Sequence, residues 1–317
     1  MALMQILSLF SGAGGLDLGL IQAGNTIVWA NDIDVSAVET YRHNIGDHIV
    51  LGDIKEIDIA TLPAADVVVG GFPCQGFSQA NRFRVLDDER NFLYRFFYEV
   101  IRDKQPKFFI AENVKGILTL GKGEAIRQIL ADFEAAGYLT DLHLVNVADY
   151  GVPETRQRVI IIGQRKDLGE KLLFHFPAAT HSKDGKDGKQ KWVSIREAID
   201  HFPNPDEPNE VKNHDYSRYK VEYRDYTAHR QTDPDKPSPT ILARGNGGGG
   251  VCAIPHYNGE RRLTVRESAS VQTFPEDFEF FGVRGSCYRQ IGNAVPVLFA
   301  RKLGEELIRI EKEESLP

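Results

Sequence analysis

Cysteine, methionine and tryptophan are scarce in this chain, at three, two and two residues, and long apolar runs are missing altogether. Cys74, Cys252 and Cys287 form no CxxC pair and no metal-ligand spacing, which excludes a disulfide framework and a structural zinc site; no metal is expected, and a reduced, cytoplasmic compartment fits. No stretch approaches the roughly 18 consecutive apolar residues of a membrane span, so no membrane partner is expected. The opening Met1-Ala2-Leu3-Met4-Gln5-Ile6 lacks the basic leader of a secretory signal. Positive charge is not in excess either: the net charge is −7 and the pI near 5.8, which on its face speaks against a nucleic-acid partner. The distribution softens this. Residues 177–262 hold 14 Lys and Arg against 13 Asp and Glu, and the remainder 24 against 32. The acid excess thus lies outside the middle segment, and a local phosphate-binding face stays open.

What is present is an ordinary globular composition, 42% hydrophobic and 26% charged over 317 residues, a length that suggests about two domains. From residue 5 to about 165, short apolar runs alternate with amphipathic stretches. Strands are expected at 6–10, 26–30, 48–51, 67–69, 107–111, 142–147 and 159–162, and helices at 15–23, 34–44, 91–103 and 124–136. Asp34 or Ser36 is available as a cap for the second helix, and Gly137 as a stop for the fourth. Repeated βα units give an α/β class with a doubly wound, mostly parallel sheet whose site lies at the strand carboxyl ends. Around Pro177 the pattern changes to a loop-rich stretch of Pro, Gly, His and Tyr that continues to Arg262. Its Tyr216, Tyr219, Tyr223 and Tyr226 are expected to form a small core rather than a stacking platform. Regular patterning returns with a helix at 264–270, capped by Thr264 with Glu267 in the capping-box position, and a last helix at 297–312.

The segment Gly70-Gly71-Phe72-Pro73-Cys74-Gln75-Gly76-Phe77-Ser78 follows the β-branched run Val67-Val68-Val69. Glycines end the strand and allow close backbone approach to a ligand, and Pro73 fixes its own φ. Cys74 is thereby presented at a strand's carboxyl end, as a nucleophile would be, although a free cysteine is as often a small buried hydrophobe. Phe10-Ser11-Gly12-Ala13-Gly14-Gly15 follows the first strand and opens a helix, placing backbone N–H groups toward a polar ligand. Asp32 ends the second strand, where a carboxylate accepts from ribose hydroxyls, and Asp53 ends the third. This is an adenosine-binding edge without a GxGxxG and without the Lys-Ser/Thr of a P-loop; ordinary turns and caps are the plainer alternative.

Glu112 of Glu112-Asn113-Val114 leaves the strand at 107–111 at the same edge, as a proton donor or as a capping carboxylate. Arg156 and Arg158 flank Gln157, so alternation points both to one side, where they suit a phosphate or carbonyl oxygen, or surface ion pairs.

Taken in order, these stretches resemble the DNA cytosine-C5 methyltransferases over nearly the whole chain. The matching motifs are Leu9-Phe10-Ser11-Gly12-Ala13-Gly14-Gly15, Gly71-Phe72-Pro73-Cys74-Gln75-Gly76-Phe77-Ser78, Glu112-Asn113-Val114, Arg156-Gln157-Arg158, Arg266-Glu267-Ser268-Ala269-Ser270-Val271-Gln272-Thr273-Phe274-Pro275 and Gly292-Asn293-Ala294-Val295-Pro296. The resemblance implies a sequence-specific enzyme that flips a cytosine from the duplex. Cys74 adds to C6, Glu112 serves N3, Arg158 serves O2 with Arg156 in support, and C5 takes the methyl of S-adenosylmethionine. It implies a cofactor pocket of Phe10, Ser11, Gly12, Gly14, Gly15, Asp32, Ile33, Asp53, Ile54, Pro73 and Leu93, closed by Asn293 and Ala294. S-adenosylhomocysteine is the implied product. Gln75, Ser78 and Asn113 are implied substrate contacts. Residues 1–176 with 263–317 would form the catalytic domain, and 177–262 the target-recognition domain. There, Pro237-Ser238-Pro239-Thr240-Ile241-Leu242 resembles the short element near the flipped base, and His229, Arg230, Thr240, Arg244 and Asn246 are candidate DNA contacts.

The family usually reads Pro-Gln-x-Arg-x-Arg where this chain has Pro153-Glu154-Thr155-Arg156-Gln157-Arg158, and glutamate where Asp32 stands. The expected partners are double-stranded DNA and a cognate restriction endonuclease, with monomeric action in the bacterial cytoplasm at the nucleoid. An RNA cytosine methyltransferase is the alternative, disfavoured by a recognition lobe of this size. An inactive DNA-binding homologue would be expected to lose Cys74, Glu112 or the glycine loop, and a nicotinamide oxidoreductase would need the missing fingerprint.

Overall fold

The computed structural model describes residues 4–72, 92–225, 229–243 and 253–314. Pro73, Cys74, Gln75 and Ser78, and likewise Tyr226, Arg244, Asn246 and Cys252, lie outside the described residues.

The β-branched and aliphatic runs form the sheet. Strands β1 (Gln5–Leu9), β2 (Thr26–Asp32), β3 (Ile49–Leu51), β4 (Val67–Gly70), β5 (Phe108–Val114), β6 (Tyr138–Asn146) and β8 (Gln157–Arg165) are ordered β3-β2-β1-β4-β5-β8-β6. The two-residue strand β7 (Glu154–Thr155) precedes β8. Helices α1 (Gly15–Gln22), α2 (Val35–Asn44), α3 (Phe92–Lys104) and α4 (Glu124–Ala135) connect the parallel strands. Asp34 caps α2, its carboxylate accepting from Ser36 N–H (3.0 Å) and Ala37 N–H (3.3 Å).

The class is the expected α/β with a mostly parallel sheet, but the winding is not uniform. β8 runs antiparallel to both β5 and β6. The reason is connection length: residues 147–156 between β6 and β8 are too few for a crossover helix, so the chain turns back. This reversal brings the start of β8, rather than its end, to the strand carboxyl edge.

Buried side chains fill both faces of the sheet, one against α1 and the C-terminal helix α8 (Val297–Glu314), the other against α3 and α4. Gly19 is where α1 and α8 touch: a Cβ there would lie 2.4 Å from Val297 O. A third core joins the middle segment to the C-terminal part of the chain. Ile195, Ile199, Ile241, Ala253 and Ile254 pack with residues of α6 (Val265–Val271), with Phe274, Phe278 and Phe280, and with α7 (Arg284–Asn293). Thr264 caps α6 in a complete capping box with Glu267, as its spacing predicts. Sequence patterning misses α7, whose RGSCYRQIGN carries few apolar residues.

The middle segment is irregular, with a small parallel pair β9 (His181–Ser182) and β10 (Gln190–Lys191) and the short helix α5 (Ile195–Ile199). Strand β11 (Ser238–Pro239) leaves it to pair with β7. The tyrosine core is a correction. Tyr216 is buried, but Tyr219 and Tyr223 are 55% and 50% exposed, because the apolar side chains of the segment are spent on the third core.

Candidate active site

Strand register sets the site. Leu9 pairs with Gly70, Gly70 with Ala111, and Asp32 with Leu51. Phe10–Ser11, Ile33, Gly52–Asp53 and Gly71–Phe72 therefore leave the sheet at one edge. Asp32 and, on the stretch of β5 that runs on past β4, Glu112–Asn113 stand at the same edge, where open α/β sheets bind ligands.

The glycine loop is shaped by left-handed backbone at Phe10 (φ 58), Gly12 (φ 57) and Gly14 (φ 87). A Cβ on Gly12 meets nothing within 4 Å, whereas one on Gly14 would lie 2.3 Å from Ile45 Cδ1. Space thus opens above Gly12, while Gly14 is needed for packing. Asp32 anchors the loop: its Oδ2 accepts from Gly12 N–H and its Oδ1 from Asp34 N–H, both at 2.8 Å. Burial holds the Asp32 carboxyl above the ordinary range. Ile33 beside it is 65% exposed, an apolar side chain at the rim of this opening. Asp53 caps the following turn through Lys55 N–H (3.0 Å). Ile54 is buried in the core that Leu93 packs against, and Lys55 Nζ sits 5.1 Å over the Phe92 ring, so the turn and the start of α3 adjoin.

Beneath the loop runs a buried polar chain. Ser11 Oγ–H donates to Ser8 Oγ (2.9 Å), Ser8 Oγ–H to Asp17 Oδ1 (2.7 Å) and Tyr41 O–H to Asp17 Oδ2 (2.8 Å). Asp17 is fully buried, and burial pushes its carboxyl to about 6.

On the far side of β4, Arg158 Nε lies 2.7 Å from Glu112 Oε1, both side chains about one-eighth exposed. Glu112 Oε2 faces Gly71, where an added Cβ would be 3.0 Å away. The glycine keeps that oxygen open toward the segment that leads to Cys74. Asn113, an expected substrate contact, is 5% exposed, and its Nδ2–H donates to Phe72 O at 2.8 Å. It holds the exit of β4 in place. A cleft of about 450 Å³ opens beside the pair, lined by Val114, Lys115, Asn146, Thr155, Gln157, Arg158 and Thr240 among others. Lys115 Nζ donates to Gln157 Oε1 there at 3.0 Å, and Thr240 Oγ1–H to Thr155 O at 2.7 Å.

The two arginines part ways. Arg158 reaches the cleft, while Arg156 is buried behind it with its guanidinium on the carbonyls of Ile241, Gly292 and Ala294. Arg156 belongs with the supports, not with groups that touch a base, because β5 takes Arg158 and the C-terminal turn takes Arg156. Burial lowers its guanidinium to about 10 and raises Glu154 above the ordinary carboxylate range. The carbonyls that hold Arg156 come from distant segments, which give no local signal in the sequence. Asn293 is exposed at the end of α7 and Ala294 is buried against Gly15. His229 and Arg230 stay within their own lobe, a ring nitrogen of His229 lying 3.1 Å from Glu222 O and Arg230 Nε–H donating to Asp225 O (3.2 Å).

A glycine loop, two carboxylates and a Glu–Arg pair beside a polar cleft, gathered at one edge of an α/β sheet, define the class of enzymes that bind their ligands at the strand carboxyl ends. The family model for C-5 cytosine-specific DNA methylases matches residues 4–309. Type II methyltransferase M.NgoFVII of Neisseria gonorrhoeae is 42% identical over 329 residues, spanning 96% of this chain and 87% of its own. M.FnuDI of Fusobacterium nucleatum is 36% identical, with 98% and 96% covered. A solved putative DNA modification methyltransferase, encoded within a prophage of E. coli, superposes with a TM-score of 0.73 at 25% identity over 98% of this chain and 99% of its own. The S. pombe Dnmt2 methyltransferase shares the fold, with a TM-score of 0.68 at 21% identity over 99% and 100%. The chain belongs to the C-5 cytosine-specific DNA methylase family and is a DNA cytosine-C5 methyltransferase.

Proposed function

We propose that this protein methylates C5 of one cytosine within a short sequence of double-stranded DNA, with S-adenosylmethionine as donor and S-adenosylhomocysteine as product. The observation that carries the reading is the Glu112–Arg158 pair, 2.7 Å apart at the strand edge beside the Gly71–Phe72 exit. The loop fits the cofactor: open space above Gly12, the exposed Ile33 and the carboxyls of Asp32 and Asp53 suit an adenosine group. Phe10, Ser11, Gly14, Gly15, Ile54, Leu93, Asn293 and Ala294 complete the pocket, with Pro73 from the adjoining segment. When bound, S-adenosylmethionine supplies an electrophilic methyl group.

The chain's own residues prepare the base. The cytosine leaves the stack, because C5 and C6 are unreachable within it. The Cys74 thiolate adds to C6. Glu112 holds a proton at N3 as electron density builds there, and Arg158 donates to O2. C5 gains the methyl group, gives up its proton to a base, and Cys74 departs. An ordinary thiol titrates near 8.5, so Cys74 is deprotonated in its site or on attack. Residues 177–262 act as the recognition lobe, with Thr240 at the cleft and Gln75, Ser78, His229, Arg230, Arg244 and Asn246 toward DNA. The relatives' Type II names support a modification role beside a restriction endonuclease of the same specificity, the enzyme acting as a monomer at the nucleoid.

Incubating the protein with S-adenosylmethionine and a plasmid, then mapping 5-methylcytosine by conversion sequencing, tests this. One repeated motif carrying the mark, absent with Cys74→Ser, is the expected result. No mark on any DNA from protein that binds S-adenosylmethionine would redirect the assignment to RNA.

A further inference from the structure

Distant segments meet around one buried guanidinium. Arg156 is 1% exposed. Its Nη1–H donates to Ile241 O (2.9 Å), and Nη2–H to Gly292 O (2.8 Å) and Ala294 O (3.0 Å). Glu154, wholly buried, faces it with Oε1 at 3.7 Å from Nη1, and the same Oε1 accepts from Ile241 N–H at 2.6 Å. Both backbone groups of Ile241 are therefore held by side chains from the approach to β8. Glu154 Oε2 and Arg156 Nε find no hydrogen-bond partner among the described residues. The pair thus rests on opposite charge and on the shared backbone groups.

Backbone contact extends this junction in both directions. A Cβ on Gly292 would lie 2.5 Å from Ala243 N and Leu242 C. A Cβ on Gly15 would lie 2.6 Å from Val295 O and 3.0 Å from Ala294 Cβ. Ser238–Pro239 pairs with Glu154–Thr155, and Thr240 reaches the cleft. A continuous line of contacts thus runs from the glycine loop, through Ala294 and Arg156, to the strand that leaves the middle segment.

We infer that Arg156, steadied by Glu154, is a positioning residue that couples occupancy of the glycine loop to docking of the middle segment on DNA. The inference rests on the cofactor and recognition assignments of the proposed function. Its physical basis is the cost of separation. If DNA draws residues 238–243 aside, Arg156 loses Ile241 O and Glu154 loses Ile241 N–H, leaving buried polar groups unsatisfied, unless the 292–294 turn, held by the same guanidinium and packed on Leu242–Ala243 at Gly292, shifts with the segment. Each ligand then orders the same turn, and each strengthens the other's binding by one and the same factor. The planar fork matters as much as the charge, since lysine cannot bridge Ile241 O to both C-terminal carbonyls.

The test is a linkage measurement on the full chain. S-adenosylhomocysteine affinity is measured by calorimetry with and without a duplex carrying the mapped motif, and duplex affinity by anisotropy with and without S-adenosylhomocysteine. Wild type should show a reciprocal strengthening on the order of tenfold. In Arg156→Lys this factor should fall close to one, and in Glu154→Gln, which keeps size and the acceptor for Ile241 N–H, it should fall severalfold. A purely structural role predicts a lower Tm with an unchanged factor in either variant, and that result overturns the inference. So does a wild-type factor of one when both ligands bind. A wild type that binds neither ligand overturns the underlying assignments instead, and the coupling with them.

Discussion

Glu112 and Arg158 face each other at 2.7 Å across the antiparallel β5–β8 pair, two residues apart in register, since Val114 is the partner of Arg158 and Glu112 that of Ile160. The ion pair holds one carboxylate oxygen and leaves the other toward Gly71. Glu112→Gln keeps the shape and removes the titratable carboxyl. Methyl transfer in single-turnover assays should slow by about 10²–10⁴-fold, with S-adenosylhomocysteine affinity unchanged by calorimetry. Equal loss of both would place Glu112 in the cofactor site.

Gly12 should report ligand space rather than packing. Alanine at Gly12 meets no atom within 4 Å but must adopt φ near 57, at a cost of about 1 kcal/mol. Gly12→Ala should therefore fold with a small loss by urea titration and bind S-adenosylhomocysteine at least tenfold more weakly. Unchanged cofactor affinity would move the pocket away from the loop.

Asp17 should make stability depend on pH. Burial raises its carboxyl from 3.8 to about 6. The folded state therefore binds the proton more tightly than the unfolded chain. The stabilising contribution is full below about 4 and is lost as pH rises through about 6, a change on the order of 2–3 kcal/mol. Asp17→Asn stays neutral, and Tyr41 O–H, 2.9 Å from His48 Nε2, can turn to accept from the new amide. Relative to wild type, the variant should gain unfolding free energy between pH 4.5 and 7.5. A flat difference across that range would show a carboxyl titrating normally.

Lys115 lines the cleft with a neutral partner, Gln157. If it meets a DNA phosphate, Lys115→Ala should weaken duplex binding evenly across sequences and reduce the salt slope of log K by about one. A changed methylation motif with an unchanged slope would mean a base contact instead.

Much of the fold and of the site edge is legible in the sequence because the relevant signals are local. Short β-branched runs, glycines at φ above zero and caps such as Asp34 and Thr264 act through neighbours within a few residues, so the strands, most helices and the edge positions of Asp32, Asp53 and Glu112 emerge directly. Errors arise where distant parts compete. The reversal of β8 leaves no trace in the sequence because periodicity carries no direction. α7 escapes notice because it is mostly polar, and the tyrosines are assigned a core already filled by Ile241, Ile254 and Phe274.

The sequence by itself determined the family, the chemistry available at the strand edge and the departure at Glu154, since these reside in residue identity and order. Tertiary structure alone decided what each group touches. It divided two arginines of one motif into a cleft residue and a buried staple, and it turned Asn113 inward to Phe72 O. Hydrogen-bond partners 85 and 136 residues away in the chain fixed that division for Arg156, because a buried guanidinium must satisfy its donors wherever the fold brings carbonyls.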